Sequence, residues 1–423
     1  MQADQIDWQA IVRLHDQLVC SHMTSEPVAL LKSLASASPD GPFGVMLGVP
    51  FTMAAEKLPA HATLTTYGGM GSARVLARSR TLNINHTPYS QCEAQYLSGV
   101  QTSDVVLVSL SRAPDGRLYL GASHGYIIEA ARRARVVVAE VNARAPCVLG
   151  SRWPDDIDLH HVIEVDYALA PELAEAAGDG TNEAAIAAHV AACVPDGACL
   201  QIGIGSLPSA LLSALAGHRH LGVHSGAMTD AMLDLIQRGA IDHSRKPAGI
   251  RHAVIGSLYG SPALYDFAHL NEQVELRAPS HTHHSSTMAG LNHFVAINSA
   301  IEVDVMGRAN AETVRANDGN LRYVGGVGGL HDMVQGAFAS TGGRAIMALP
   351  SRTQNGPAGR PRIVAQLSGP VTVASEYADL VVTEHGVAQM KDRTASERVQ
   401  QMLSIADPQD RDLLAAQAKA LGF

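Results

Sequence analysis

The feature that most constrains this chain is a short apolar run, repeated many times without polar alternation. In the first half such runs cover 105–111 (VVLVSLS), 136–142 (VVVAEVN) and 162–166. In the second half they cover 199–205 (CLQIGIG), 294–298, 345–349, 362–367 and 380–384. A strand wetted on one face alternates apolar and polar residues. A strand covered on both faces does not, and that is the signature of parallel sheets. Ala-rich helical stretches such as 125–135 and 207–217 separate many of the runs. Strand and helix in alternation predict an α/β fold with largely parallel sheets.

A chain of 423 residues exceeds one ordinary core, so two domains are expected. The segment 176–198 (AAGDGTNEAAIAAHVAACVPDGA) carries turn signals on both sides of one helix. It divides the chain into an expected N-terminal domain, 1–185, and a C-terminal domain, 190–423. A net charge of −9 with no basic stripe argues against nucleic acid as partner. Only five of the 31 basic residues are lysines, and arginine suits anions held by planar pairing. Cys20, Cys92, Cys147, Cys193 and Cys199 form no CxxC pair, as expected of free thiols in a reducing cytoplasm. The first residues are too charged for a signal peptide, and no apolar run reaches membrane length. A cytoplasmic protein without a membrane partner is expected.

Several stretches invite chemistry. Residues 221–226 (LGVHSG) end a predicted strand in a loop holding His224, Ser225 and Gly226, with Thr229 and Asp230 opening a helix that Gly239 stops. The C-terminal ends of such strands are where α/β sheets bind ligands. Gly121–Gly125 (GASHG) matches G-x-S-x-G, which in a serine hydrolase puts Ser123 on a strained elbow; the plainer reading is a β–α turn. Gly203–Pro208 (GIGSLP) resembles a dinucleotide loop, with Gly205 at the mouth of a helix, but lacks the acidic residue that a nicotinamide site needs. The histidines His218, His220, His224, His281, His283 and His284 lack the spacing of a zinc site with cysteines, and no metal is assigned to them. The glycines of 323–329 (YVGGVGG) let backbone approach a ligand closely.

In order, QIGIGSLPSALLSAL, LGVHSGAMTDAMLDLIQRGAI, NSAIEVDVMGRANAE, YVGGVGGLHDMV, GGRAIMALPSR, RIVAQL and VVTEHGVAQM resemble the acetyl-CoA hydrolase/transferase family, which includes the 4-hydroxybutyrate- and succinate-type CoA-transferases. The runs VVLVSLSRAPDGRLYLGASHGY and ARVVVAEVNARAP agree with its N-terminal domain. The resemblance implies two α/β domains of class I CoA-transferase type with an active-site cleft between them. It implies acyl-CoA as substrate, coenzyme A as a substrate rather than a tightly bound cofactor, a small carboxylate as acceptor, and a homodimer or larger homo-oligomer. In the family a glutamate attacks the thioester, giving an acyl-glutamyl anhydride and then a glutamyl-CoA thioester. A Gly-rich loop supplies the oxyanion donors, here Gly328 and Gly329. Gly205, Gly326, Arg360 and Arg362, with Arg352 nearby, are the candidates for holding CoA.

Three departures fall on the reacting centre. Gly226 stands where the family glutamate is expected, His283 where an asparagine is expected, and Leu330 where many members have glutamine. Three explanations stay open. Water can be activated by His224 or His283, because imidazole titrates near neutrality, with Ser225 beside them. Glu302 can take over as nucleophile. Or the chain binds CoA esters without turning them over. A serine hydrolase using Ser123 is the remaining alternative.

Overall fold

The structure, a computed structural model, describes residues 3–169, 181–316, 318–353 and 359–423. Internal contacts divide the chain into two compact units. The first comprises Met1–Leu173, Ala227–Asp230 and Ala253–Thr282; the second comprises Ala174–Gly226, Ala231–His252 and His283–Phe423. The single cut expected between 185 and 190 follows the chain, whereas the packing interleaves. The reason is local: Thr24 Oγ1 donates to the Leu258 carbonyl at 2.8 Å, and Leu258 N donates to the Ala122 carbonyl at 2.7 Å. Part of the expected linker, 176–180, lies outside the described residues.

The first unit holds a parallel sheet in the order Leu82–Ile84, Ala62–Thr66, Phe43–Gly48, Gln17–Cys20, Val105–Arg112, Val136–Asn142, His161–Val165, with Leu118–Tyr119 added antiparallel to Val105–Arg112. Neighbouring residues on a strand face opposite sides, and the packing shows it. Leu18, Val45 and Leu107 join Leu30, Leu31 and Leu34 of helix Val28–Ala37 in one core. Val19, Met46, Val106 and Val108 join Ile127, Ala130 and Ala131 of helix Ile127–Arg133 in another. Two covered faces explain why the runs do not alternate. The Glu140 carboxylate accepts from Ala29 N and Leu30 N at 3.0 and 3.1 Å, satisfying N–H groups that the first turn of helix Val28–Ala37 leaves over.

In the second unit, residues 222–226 of strand Gly222–Thr229 begin a row of strands that continues with Cys199–Ile202, Phe294–Asn298, Arg344–Ala348, Leu380–Thr383 and Gly386–Gln389. The first five are parallel to their neighbours and the last is antiparallel. The run at 362–367 yields only Ile363–Val364, which pairs with Glu302–Asp304 in a separate small sheet. Among the described residues no helix is long and apolar enough to cross a membrane.

Candidate active site

The stretch that holds His224, Ser225 and Gly226 is strand, not the expected loop: Gly222–Thr229 is one continuous element. Gly222 and Val223 pair with Cys199 and Leu200. Burial of the flanking residues keeps the strand going: His224 and Ser225 are buried, with the His224 ring edge-on to Phe294 at 6.1 Å. Ser225 Oγ donates to the Ile202 carbonyl at 3.5 Å. Helix Asp230–Gln237 follows, and Gly239 ends it at φ +77. Asp230 has a structural task. Its carboxylate accepts from Ser261 N and Ser261 Oγ, both at 2.8 Å, and so fixes the turn before helix Pro262–Ala268.

Three of the expected site residues come together in the second unit. A β-carbon placed on Gly226 would lie 3.0 Å from His283 Nε2 and 3.9 Å from the Met333 methyl. One placed on Gly329 would lie 2.4 Å from both Nε2 and Cδ2 of the same ring. The imidazole is therefore wedged between the two glycines. Neither glycine is there for its backbone: Gly226 lies outside the left-handed region, and Gly329 has φ −95 as the residue before helix Leu330–Ala339. Gly328, by contrast, sits at φ +50, where a side chain is strained. Among the described residues the N–H groups of Gly328 and Gly329 reach no acceptor in the protein. Both are half-buried at a helix N-terminus, where unpaired N–H groups and the helix dipole favour negative charge.

Burial sets the electrostatics of His283. Burial lowers its pKa to about 3, because an imidazolium away from water loses its hydration. The ring is neutral at pH 7, and its titration lies far below neutrality. The other histidines are dispersed. His218 Nε2 meets the Val194 carbonyl at 3.0 Å, His220 Nδ1 meets Asp242 at 2.8 Å, and His284 caps helix Ser285–Ala289. Among the described residues no three His, Cys, Asp or Glu side chains are arranged to hold a metal ion.

Other candidates have structural employment. Glu302 Oε1 accepts from Asn310 Nδ2 at 2.9 Å, Ser368 N at 2.7 Å and Ser368 Oγ at 2.9 Å. That oxygen braces the small sheet. Arg362 donates through Nη2 and Nε to the Ala300 and Ile301 carbonyls at 2.7 and 2.9 Å. Arg352 is bound to Asp410 and the Gly359 carbonyl. Arg360 is exposed and donates to the Arg315 carbonyl at 3.1 Å; residues 354–358 beside it lie outside the described residues. Gly205 precedes helix Ser206–Ala214 at φ +130, as its spacing predicts, and Gly326 lies in the half-buried loop before Gly328. Ser123 is not on an elbow. It bridges to Ser257, is 2% exposed, and helix Ile127–Arg133 starts only four residues later. The sequence reading missed Met333, which faces Gly226. The helical spacing of the buried Leu330, Met333, Val334 and Ala337 is the signal that marks that face.

Residues 260–418 match the model of the acetyl-CoA hydrolase/transferase C-terminal domain. The chain is 30% identical over 412 residues to the 4-hydroxybutyrate coenzyme A transferase of Clostridium kluyveri, covering 96% of this chain and 94% of that one. Among solved structures, RipA from Yersinia pestis superposes with a TM-score of 0.88 at 26% identity, over 97% of this chain and 95% of that one. A 4-hydroxybutyrate CoA-transferase from Porphyromonas gingivalis gives 0.80 at 28% identity, over 100% and 97%.

Proposed function

Because the chain belongs to the acetyl-CoA hydrolase/transferase family, we propose that it cleaves short-chain acyl-CoA thioesters with water as the acceptor, without a glutamyl-CoA intermediate. The observation that carries this reading is the pairing of Gly226 with His283. The position expected to bear the nucleophilic carboxylate has no side chain, and a neutral imidazole lies 3.0 Å from where its β-carbon would begin. Water then attacks the thioester carbon. The C–O bond forms, the C–S bond breaks, and the proton released from water ends on the CoA sulfur. Unpaired N–H groups at Gly328 and Gly329 suit the oxyanion that develops on the way.

Transfer to a small carboxylate is the second reading, favoured by the names of the relatives. Mass spectrometry after incubation with a panel of acyl-CoAs, with and without acetate, separates the two. Free CoA and acid, unchanged by acetate, is the expected outcome. Acetyl-CoA formation or a covalent CoA adduct means transfer, and no turnover means a CoA-ester-binding protein. The double variant Gly226→Glu with His283→Asn sharpens the test, since the backbone at 226 accepts a side chain and the second change clears the ring. It is expected to gain acyl-CoA:carboxylate transfer or to trap a glutamyl-CoA thioester reducible by borohydride. A folded variant with neither shows that restoring this carboxylate does not restore transfer chemistry.

The grouping of 1–185 and 190–423 as the family's two domains, a cytoplasmic location and a homo-oligomeric state belong to the same proposal. Limited proteolysis, fractionation and light scattering test them.

A further inference from the structure

We propose that the second unit carries a binding site for a phosphate group, free or on a small carrier molecule, formed by Arg344, Lys391 and Arg393. These side chains line one recess of about 320 Å³, together with Asp379, Gln389 and Asp392. That volume is at the lower end of small-molecule sites, roughly 300 Å³ and upward. The recess is built at the edge of the sheet where the parallel strands Arg344–Ala348 and Leu380–Thr383 begin. Ligands of an α/β reaction bind at the opposite edge, beyond the C-terminal ends of the strands. Helix Leu330–Ala339 measures the separation. Gly329 precedes its first residue, and near its last the Lys391 Nζ lies over the Phe338 ring, 5.1 Å from the centroid. At about 1.5 Å per residue, Gly329 and Phe338 are roughly 14 Å apart along the axis. The recess is therefore distinct from the candidate active site, and the proposal holds whether water or a carboxylate is the acceptor there.

The charges select the ligand. Asp379 is committed: its carboxylate accepts from Arg344 Nη1 and from Ala345 N, both at 3.0 Å. Arg344 keeps further N–H groups for a second acceptor. Among the described residues the exposed Lys391 meets the Phe338 ring and no carboxylate. Arg393 comes only within 3.8 Å of Glu397 Oε1, beyond hydrogen-bond reach. The other oxygen of Glu397 is held by Thr394 N and Thr394 Oγ1, both at 2.8 Å. Two exposed cations thus line one recess with no hydrogen-bonded carboxylate on either. A phosphate group carries about −1.5 to −2 charges near neutrality and several acceptor oxygens. An arginine fork takes two of those oxygens and a lysine supplies a point charge. A single carboxylate matches only half of that charge. Asp392 opposes the anion, since its exposed side chain lines the same recess. It weakens the site without cancelling it.

The test is isothermal titration calorimetry of the full chain at pH 7.5 with inorganic phosphate and with adenosine 5′-monophosphate, each against matched sodium chloride. Wild type is expected to bind phosphate saturably, beyond the chloride control. The double variant Lys391→Gln with Arg393→Gln, checked for fold by circular dichroism, is expected to bind roughly tenfold more weakly or worse, because two charge-assisted contacts are lost. Asp392→Asn is expected to bind a few-fold more tightly, because a like charge is removed. Tighter binding of the monophosphate identifies a carrier-borne group as the ligand, and tighter binding of phosphate identifies the free anion. If neither probe binds wild type saturably, or if every probe that binds is held equally by the double variant, the proposal is overturned. Weaker binding by Asp392→Asn overturns it as well.

Discussion

Each unit buries one histidine against two glycines, and the two arrangements differ in what the glycines are for. In the first unit His22 lies between Gly48 and Gly125, whose β-carbons would come within 2.9 and 2.6 Å of ring nitrogens. Tyr89 and Tyr126 flank the ring, and Tyr89 OH meets Nε2 at 2.8 Å. Gly48 and Gly125 sit at φ +65 and +56, so backbone and ring both demand glycine there. In the second unit His283 lies between Gly226 and Gly329, which have ordinary backbone angles. There only the ring demands glycine. The first histidine is part of a turn that the chain cannot otherwise make. The second is a placement that a different side chain at 283 would release.

Gly125→Ala should break the first arrangement with the largest effect. Left-handed strain of about 1 kcal/mol or more adds to overpacking of about 1–3 kcal/mol, for an expected loss of about 3 kcal/mol in urea unfolding. A companion His22→Ala should relieve only the steric part. Full recovery in that double variant would mean the backbone angle is not a constraint.

Gly329→Ala should cost somewhat less, about 2 kcal/mol, and lower acyl-CoA turnover by displacing the ring. Here the companion His283→Ala should relieve most of the clash in a double-mutant cycle. If the two changes prove additive, the imidazole is not what keeps 329 a glycine.

The pH dependence treats both rings alike. Burial lowers His22 and His283 each to about 3, below the unfolded value. Their contribution is full above pH 6.5 and is lost as pH falls toward 3, because the unfolded chain takes up protons that the folded one does not. Between pH 7.5 and 5 each should cost about 2 kcal/mol of stability. Glu26 and Glu140 act in the opposite sense. Burial raises both to about 7, so their contribution is full below about 4.5 and is lost as pH rises through 7. Comparing wild type with His22→Gln and with His283→Gln at the two pH values isolates each ring. A slope unchanged by either substitution removes that histidine from the account.

Gly226→Ala should have the smallest effect on stability, under about 1 kcal/mol, since a shift of a few tenths of an ångström in the ring accommodates a methyl at 3.0 Å. Its effect should be seen in kcat, several-fold down. Unchanged kcat would show that the ring's exact seat does not matter to turnover.

Much of the frame was legible in the chain. The runs at 136–142 and 294–298 are the strands Val136–Asn142 and Phe294–Asn298, because a strand covered on both faces must be apolar throughout. The stop at Gly239 followed from a φ requirement that acts within a few residues, whereas the expected Thr229 cap does not form: its buried hydroxyl makes no hydrogen bond among the described residues, although helix Asp230–Gln237 starts where expected. Phe43–Gly48 was not singled out, since Gly44 and Gly48 interrupt its apolar character. That position 226 carries glycine was also visible in the sequence.

What lies against Gly226 was decided only in three dimensions. Residues 226, 283 and 329 are far apart in the chain, and no local pattern says that one ring lies against two glycines. The same holds for the candidates that found structural work. Glu302 is occupied by Ser368 and Asn310, and Arg362 by the carbonyls of 300 and 301, through long-range hydrogen bonds. Residue type and spacing fix what a side chain is able to do. Burial and partners, which only the packed chain supplies, fix its charge state and whether it is available at all.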